Sequence, residues 1–203
     1  MACALRRLGV TVSQAYRFLC HTVIPRPVAW VLTQSPAGNY NIAPFSYFNI
    51  VCSDPAIVMI SVGHKRDGNK KDTWTNLETG TDAVIHIADF NLLKDLNQTA
   101  KSLANDQSEL DEITAEVIEQ QSFPLPRIRT AAVALNCKRH DIHLLGNGPQ
   151  AVIYLQVASA YISDELAADN PFMPDANQLN PIARLGAEDY SLLGDIHTLK
   201  RPT

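Results

Sequence analysis

The chain has 203 residues, 46% of them hydrophobic and 19% charged, with a net charge of −4. That is enough chain for one sizeable core. It carries no overall basic footprint for nucleic acid, and no apolar run approaches the roughly 18 residues that span a bilayer.

Residues 1–14 read as a poorly ordered N-terminal segment, and 15–203 as a single domain. Arg6 and Arg7 interrupt the apolar start, which argues against a targeting segment and for a cytoplasmic chain. Ser13 is placed to cap a short helix whose apolar positions are Ala15, Phe18, Leu19 and Val23; Pro25 closes it. The run Val28 to Leu32, a turn around Pro36, Gly38 and Asn39, and the return Tyr40 to Asn49 predict a β-hairpin. The return strand interleaves Asn41, Ser46 and Asn49 with Ala43, Pro44, Phe45 and Phe48. Small residues there let a flat ligand approach the main chain, although a solvated sheet edge would have the same composition.

Asp54-Pro55 marks a turn and Ala56 to Val62 a buried strand. The loop 63–71 holds the densest positive charge, with Lys65, Arg66, Lys70 and Lys71. A helix follows at 72–80, with Asp72 or Thr73 as N-cap, a Thr75/Glu78 capping box and Gly80 as the stop. Lys71 beside a helix N-terminus suits a phosphate; an ordinary capped helix behind a solvated loop looks the same in sequence.

Ala83 to Ala88 predicts a strand and Phe90 to Ala104 the clearest helix, with Leu92, Leu93, Leu96, Ala100, Leu103 and Ala104 on one face. The segment 105–130 is polar, then proline-rich. Ala131 to Lys138 and Ala151 to Ile162 predict strands, 163–182 a loop, and the tail has no strong period. Six or seven strands with two or three helices, in no βαβ alternation, favour an antiparallel barrel or sandwich.

His140 and His143 have metal-like spacing but no accompanying cluster, so no metal site is assigned. No nucleophile elbow, Walker loop or dinucleotide fingerprint is present. The scattered Cys3, Cys20, Cys52 and Cys137 read as thiols of a reducing compartment. An enzyme without these groups would rely on a bound cofactor.

Taken together, PRPVAWVLT (25–33), NIAPFSYFN (41–49), SDP (53–55), KDTWTNL (71–77) and PIARLG (181–186) with Tyr190 resemble the flavin reductase-like family of FMN-binding split-barrel proteins, related to flavoredoxins. The resemblance spans about 15–202. It implies a six-stranded antiparallel split β-barrel with Greek-key connections, a homodimer with FMN near its interface, and electron transfer from NADH or NADPH through FMN to a small-molecule or protein acceptor. No nucleic-acid or membrane partner is implied. The alternatives are an FMN-holding electron carrier without turnover of its own, and a barrel that binds another ligand such as haem.

The resemblance also assigns residues. Lys71, Asp72 and Thr73 would hold the phosphate; Asn41, Ala43, Pro44 and Ser46 would line the cofactor, with Phe48 and Asn49 completing that wall. Trp30 would flank the flavin ring, and Arg26 would brace the hairpin base. No catalytic residue is assigned. Ile24 stands where the family often has a polar residue, removing a flavin contact. Ala187 replaces a family glycine; if that glycine needs a positive φ, the local turn is expected to differ. Phe172 is a candidate to close over the flavin.

Overall fold

The computed structural model describes residues 11–104 and 107–202. Seven strands form one antiparallel sheet: β1 (Ala29–Gln34), β2 (Tyr40–Phe45), β3 (Phe48–Ser53), β4 (Ala56–Val62), β5 (Asp82–Ile87), β6 (Val133–Leu145) and β7 (Gln150–Ile162). Their spatial order is β2-β1-β5-β6-β7-β4-β3. The two edge strands, β2 and β3, are consecutive in sequence and separated only by Ser46 and Tyr47. One passage of chain thus serves both edges, and the sheet closes into a split barrel. The expected six strands become seven because this passage breaks at Ser46-Tyr47.

Two apolar clusters explain why β1 is a continuous hydrophobic run. Ala29 and Val31 face the barrel interior with Phe45, Ile60, Ile85, Ile153 and Leu155. Trp30 and Leu32 face the opposite side, packing with Ile42, Val84, Leu96 and Ile128. A strand covered on both faces has no reason to alternate.

Helix α2 (Asp72–Thr79) puts Trp74 and Leu77 into the barrel cluster. Its polar residues dock it to the hairpin: Asn76 Nδ2 donates to Thr33 Oγ1 at 3.0 Å, and Asn41 Nδ2 donates to Thr73 Oγ1 at 2.9 Å. The helix stops at Gly80, whose N–H donates to the Asn76 carbonyl. The N-cap is Lys71 rather than Asp72 or Thr73 and makes no side-chain cap bond. Glu78, expected in a capping box, instead binds Lys70 and the Trp74 indole.

Helix α1 (Val12–Thr22) is capped by Thr11, two residues before the expected Ser13 cap. Thr11 and Gln14 form a reciprocal capping box there. The expected helix 90–104 is much shorter: a 3-10 turn at Phe90–Leu92, capped by Asp89, leads into α3 (Leu93–Gln98). It ends because Thr99 is drawn inward, where its hydroxyl donates to the Leu96 carbonyl at 2.8 Å and accepts from Trp30 Nε1 at 2.9 Å.

The proline-rich segment adds a small ladder, Val117–Ile118 with Arg127–Ile128. The tail, without period in sequence, forms a three-stranded ladder in which Arg26–Pro27 pairs with Ala183–Arg184, and these with Tyr190–Ser191. Strand β6 runs seven residues beyond its expected end at Lys138, so His140 and His143 lie within a strand. A register shift sets in between Asp141 and Arg139, and His143 pairs with Asp141 at 2.8 Å on the surface. No group of three metal-ligating side chains occurs among the described residues. Cys20, Cys52 and Cys137 are free thiols; Cys3 and residues 1–10 of the N-terminal segment lie outside the described residues. No helix is long and apolar enough to cross a membrane among the described residues.

Candidate functional site

The break between β2 and β3 opens onto a cleft of about 860 Å³. Its floor is Pro44, Phe45, Ser46 and Tyr47, with Ser61 and Gly63 from the end of β4. One wall is Lys71 and His64; the other is α1, through Tyr16, Arg17 and Cys20, together with Arg184 and Tyr190 of the C-terminal ladder. Among the described residues, the lining includes four cationic side chains, Arg17, Arg26, Lys71 and Arg184, and no carboxylate. In a chain of net charge −4 this is a local reversal of sign, and it selects an anionic ligand.

Lys71 is half-buried among these cations. Its ammonium lies 5.5 Å from the centre of the Phe45 ring, and burial pulls its pKa below the usual lysine range. Neighbouring charge is organised away from it. Lys65 pairs with Asp72 at 2.8 Å, and Lys70 pairs with Glu78 at 2.6 Å. The first N–H groups of α2 lie beside Lys71, so dipole and ammonium act together.

Behind this wall sits Glu109, a residue not singled out from the sequence. It is buried and accepts the Ile42 N–H at 3.1 Å; burial pushes its carboxyl up. Nothing local marked it, since its role depends on a strand 67 residues away in sequence.

Arg26 braces the hairpin base, as expected. Its buried guanidinium donates to the carbonyls of Cys20 at 2.7 Å, Val23 at 3.0 Å and Leu185 at 2.8 Å. Its Nε also reaches Ser46 Oγ at 3.4 Å. One side chain therefore ties α1, the cleft floor and the C-terminal ladder. Cys20 Sγ lies 3.3 Å from the Tyr47 hydroxyl, and burial raises the pKa of Tyr47.

Of the residues assigned from sequence, Pro44, Ser46 and Lys71 line the cleft. Asn41 and Thr73 are spent on each other, and Asp72 on Lys65, so these three position the wall from behind. Ala43 packs against the barrel cluster, as does Phe48. Asn49 is exposed on β3, where its side chain accepts its neighbour's N–H. Trp30 is a correction. It has no exposed surface; its ring meets His86 edge-on, and it belongs to the second core. An indole buried there presents no face to a ligand in the cleft.

Phe172 is 91% exposed and is not among the cleft residues. Ala187 lines the cleft with φ +49°, so the turn keeps the left-handed geometry expected of glycine. The expectation of a different turn is therefore wrong. At the adjacent Gly186, an added Cβ would lie 2.1 Å from His21 Nδ1, so the His21 ring packs directly on the glycine backbone.

A flavin with a phosphate tail suits this donor set. The volume lies in the range of roughly 300–1,000 Å³ usual for small-molecule sites, and the lining is cationic. Fold and cleft together define a flavin-binding split-barrel protein. The chain belongs to the flavin reductase like family, whose domain model matches residues 21–180. YwrF of Bacillus subtilis (strain 168), an uncharacterized protein, is 33% identical over 199 residues, 96% of each chain. The structure of nitrilotriacetate monooxygenase component B from Bacillus cereus is similar with a TM-score of 0.91 and 29% identity, over 98% of this chain and 99% of that one. Pseudomonas fluorescens 2-nitrobenzoate 2-nitroreductase NbaA gives a TM-score of 0.88 at 25% identity, over 100% and 97%.

Proposed function

We propose that the protein is an FMN-dependent oxidoreductase that takes electrons from NADH or NADPH and delivers them to a second acceptor. The observation that carries this reading is the cleft itself: among the described residues four cationic side chains and no carboxylate line it, with a half-buried lysine at a helix N-terminus. Membership of the family supports it. Bound flavin supplies the capacity to accept a hydride and pass electrons on.

The chain's own residues hold and orient. Lys71 and the opening N–H groups of α2 take the phosphate. The main chain of Pro44 to Tyr47 borders the ring system, and Arg26 fixes that floor against α1. We further propose a homodimer. Val12, Tyr16, Phe18, Leu19, Val23 and Ile24 of α1 and its exit, and Ile50 and Val51 of β3, are large apolar residues left exposed. A surface of that kind marks an interface.

Purified protein is expected to be yellow and to release FMN on denaturation. Anaerobic addition of NADH or NADPH is expected to bleach it on a turnover timescale. Yellow protein that does not bleach would make it an electron carrier; protein that takes up no FMN would end both readings. Lys71→Ala is expected to weaken FMN retention, and unchanged affinity would move the phosphate elsewhere.

A further inference from the structure

The cleft holds more positive charge than one phosphate ester requires, and that charge is divided between two walls. On the α2 wall stands Lys71. On the opposite wall stand Arg17, from the exposed face of α1, and Arg184, from the C-terminal ladder. Arg26 lies with them but is consumed by three carbonyls and the Ser46 hydroxyl.

Arg184 is held rather than floating. Its guanidinium carbon lies 4.3 Å from the centre of the Tyr190 ring, and one nitrogen donates to the Ala187 carbonyl. Tyr190 is fixed in turn by its hydroxyl, which donates to Asn97 at 3.1 Å. The guanidinium is thus oriented by stacking, with donors to spare. Arg17 has no ion pair or hydrogen bond among the described residues. The contact of His21 with Gly186 locks the two segments that carry these arginines to each other.

We propose that Arg17 and Arg184 form a second anion-binding pole, which takes the phosphates of the pyridine dinucleotide donor while Lys71 holds the phosphate of the flavin. This rests on the reading of the cleft as a flavin site and assigns its other wall. Guanidinium forks match phosphate oxygens in pairs. Two poles in one cleft place a mononucleotide and a dinucleotide side by side, as transfer between their rings requires.

Calorimetric titration of the purified protein with NADPH and with NADH tests this, alongside separate measurement of FMN retention. Arg17→Gln and Arg184→Gln are each expected to weaken dinucleotide binding by roughly tenfold or more, the usual scale for a lost charge-assisted contact. FMN retention in both variants is expected to stay within about twofold of the parent, which also reports that they fold. Arg184→Lys is expected to restore binding only in part, because it keeps charge but loses the fork. Lys71→Ala is expected to show the reverse pattern, shedding FMN and keeping the dinucleotide.

Dinucleotide binding unchanged in both arginine variants overturns the proposal. So does loss of FMN from either, which would assign the guanidinium to the flavin. A parent protein that binds dinucleotide through these arginines but takes up no FMN would instead defeat the flavin reading and leave the second pole standing.

Discussion

Asn41 donates from Nδ2 to the Thr73 hydroxyl at 2.9 Å, joining the start of β2 to the first turn of α2. Both residues are buried. The bond explains how two separated sequence motifs come to serve one cleft: the strand fixes the helix whose N-terminus presents Lys71. Asn41→Ala is expected to cost about 1–3 kcal/mol, because it strands a buried hydroxyl. FMN retention is expected to fall with it. Urea unfolding and flavin release are the measurements; an unchanged unfolding midpoint would show that the bond holds nothing.

Trp30 separates core from cleft. Trp30→Phe removes the bond to Thr99 and leaves a void in a fully enclosed site. A loss of roughly 1–3 kcal/mol is expected. FMN retention at a temperature where the variant is folded is expected to match the parent, whereas a specific loss would return Trp30 to the flavin's surroundings.

Ala187 occupies the left-handed region at φ +49°. A Cβ there costs roughly 1–2 kcal/mol, offset in part by the extra freedom glycine has when unfolded. Ala187→Gly is expected to raise the melting temperature, with a net gain of up to about 1 kcal/mol. A lowered melting temperature would mean the methyl group makes a contact worth more than the strain.

His86 sets an acid limit. It is completely enclosed: Nε2 accepts the Ile128 N–H at 3.0 Å, which leaves Nδ1 to donate to the Trp30 carbonyl at 2.9 Å. Burial pulls its pKa down from 6.5 to about 4. The unfolded chain therefore binds one more proton than the folded chain between those values. Stability fully present above about pH 6.5 is lost as pH falls towards 4, by roughly 3 kcal/mol from this group. Imidazole NMR signals followed from pH 7 to 4 are expected to show His86 still neutral at pH 5; titration near 6.5 in the folded protein would refute this.

The wall that carries Lys71 was legible in sequence because its parts are contiguous. A basic loop, Lys71 and a helix start are local features, and the helix forms where expected. The floor was legible for a related reason, since a run of small and polar residues marks where main chain is left open. The opposite wall was not. Arg17 and Arg184 are brought together by α1 and a C-terminal ladder whose strands are two residues long, too short to leave a period.

Chain order and local pattern by themselves determined most strands of the large sheet, the turns at Gly38 and Asp54, and the helix that begins beside Lys71. The tertiary structure alone decided which polar and aromatic residues face the cleft. Trp30 and Ser46 both lie in motifs that suit a cofactor. Yet a strand covered on both faces buries one, and the break between two edge strands exposes the other. Side-chain direction along a strand follows the alternation of the backbone, but what lies on each side is set only when the sheet closes.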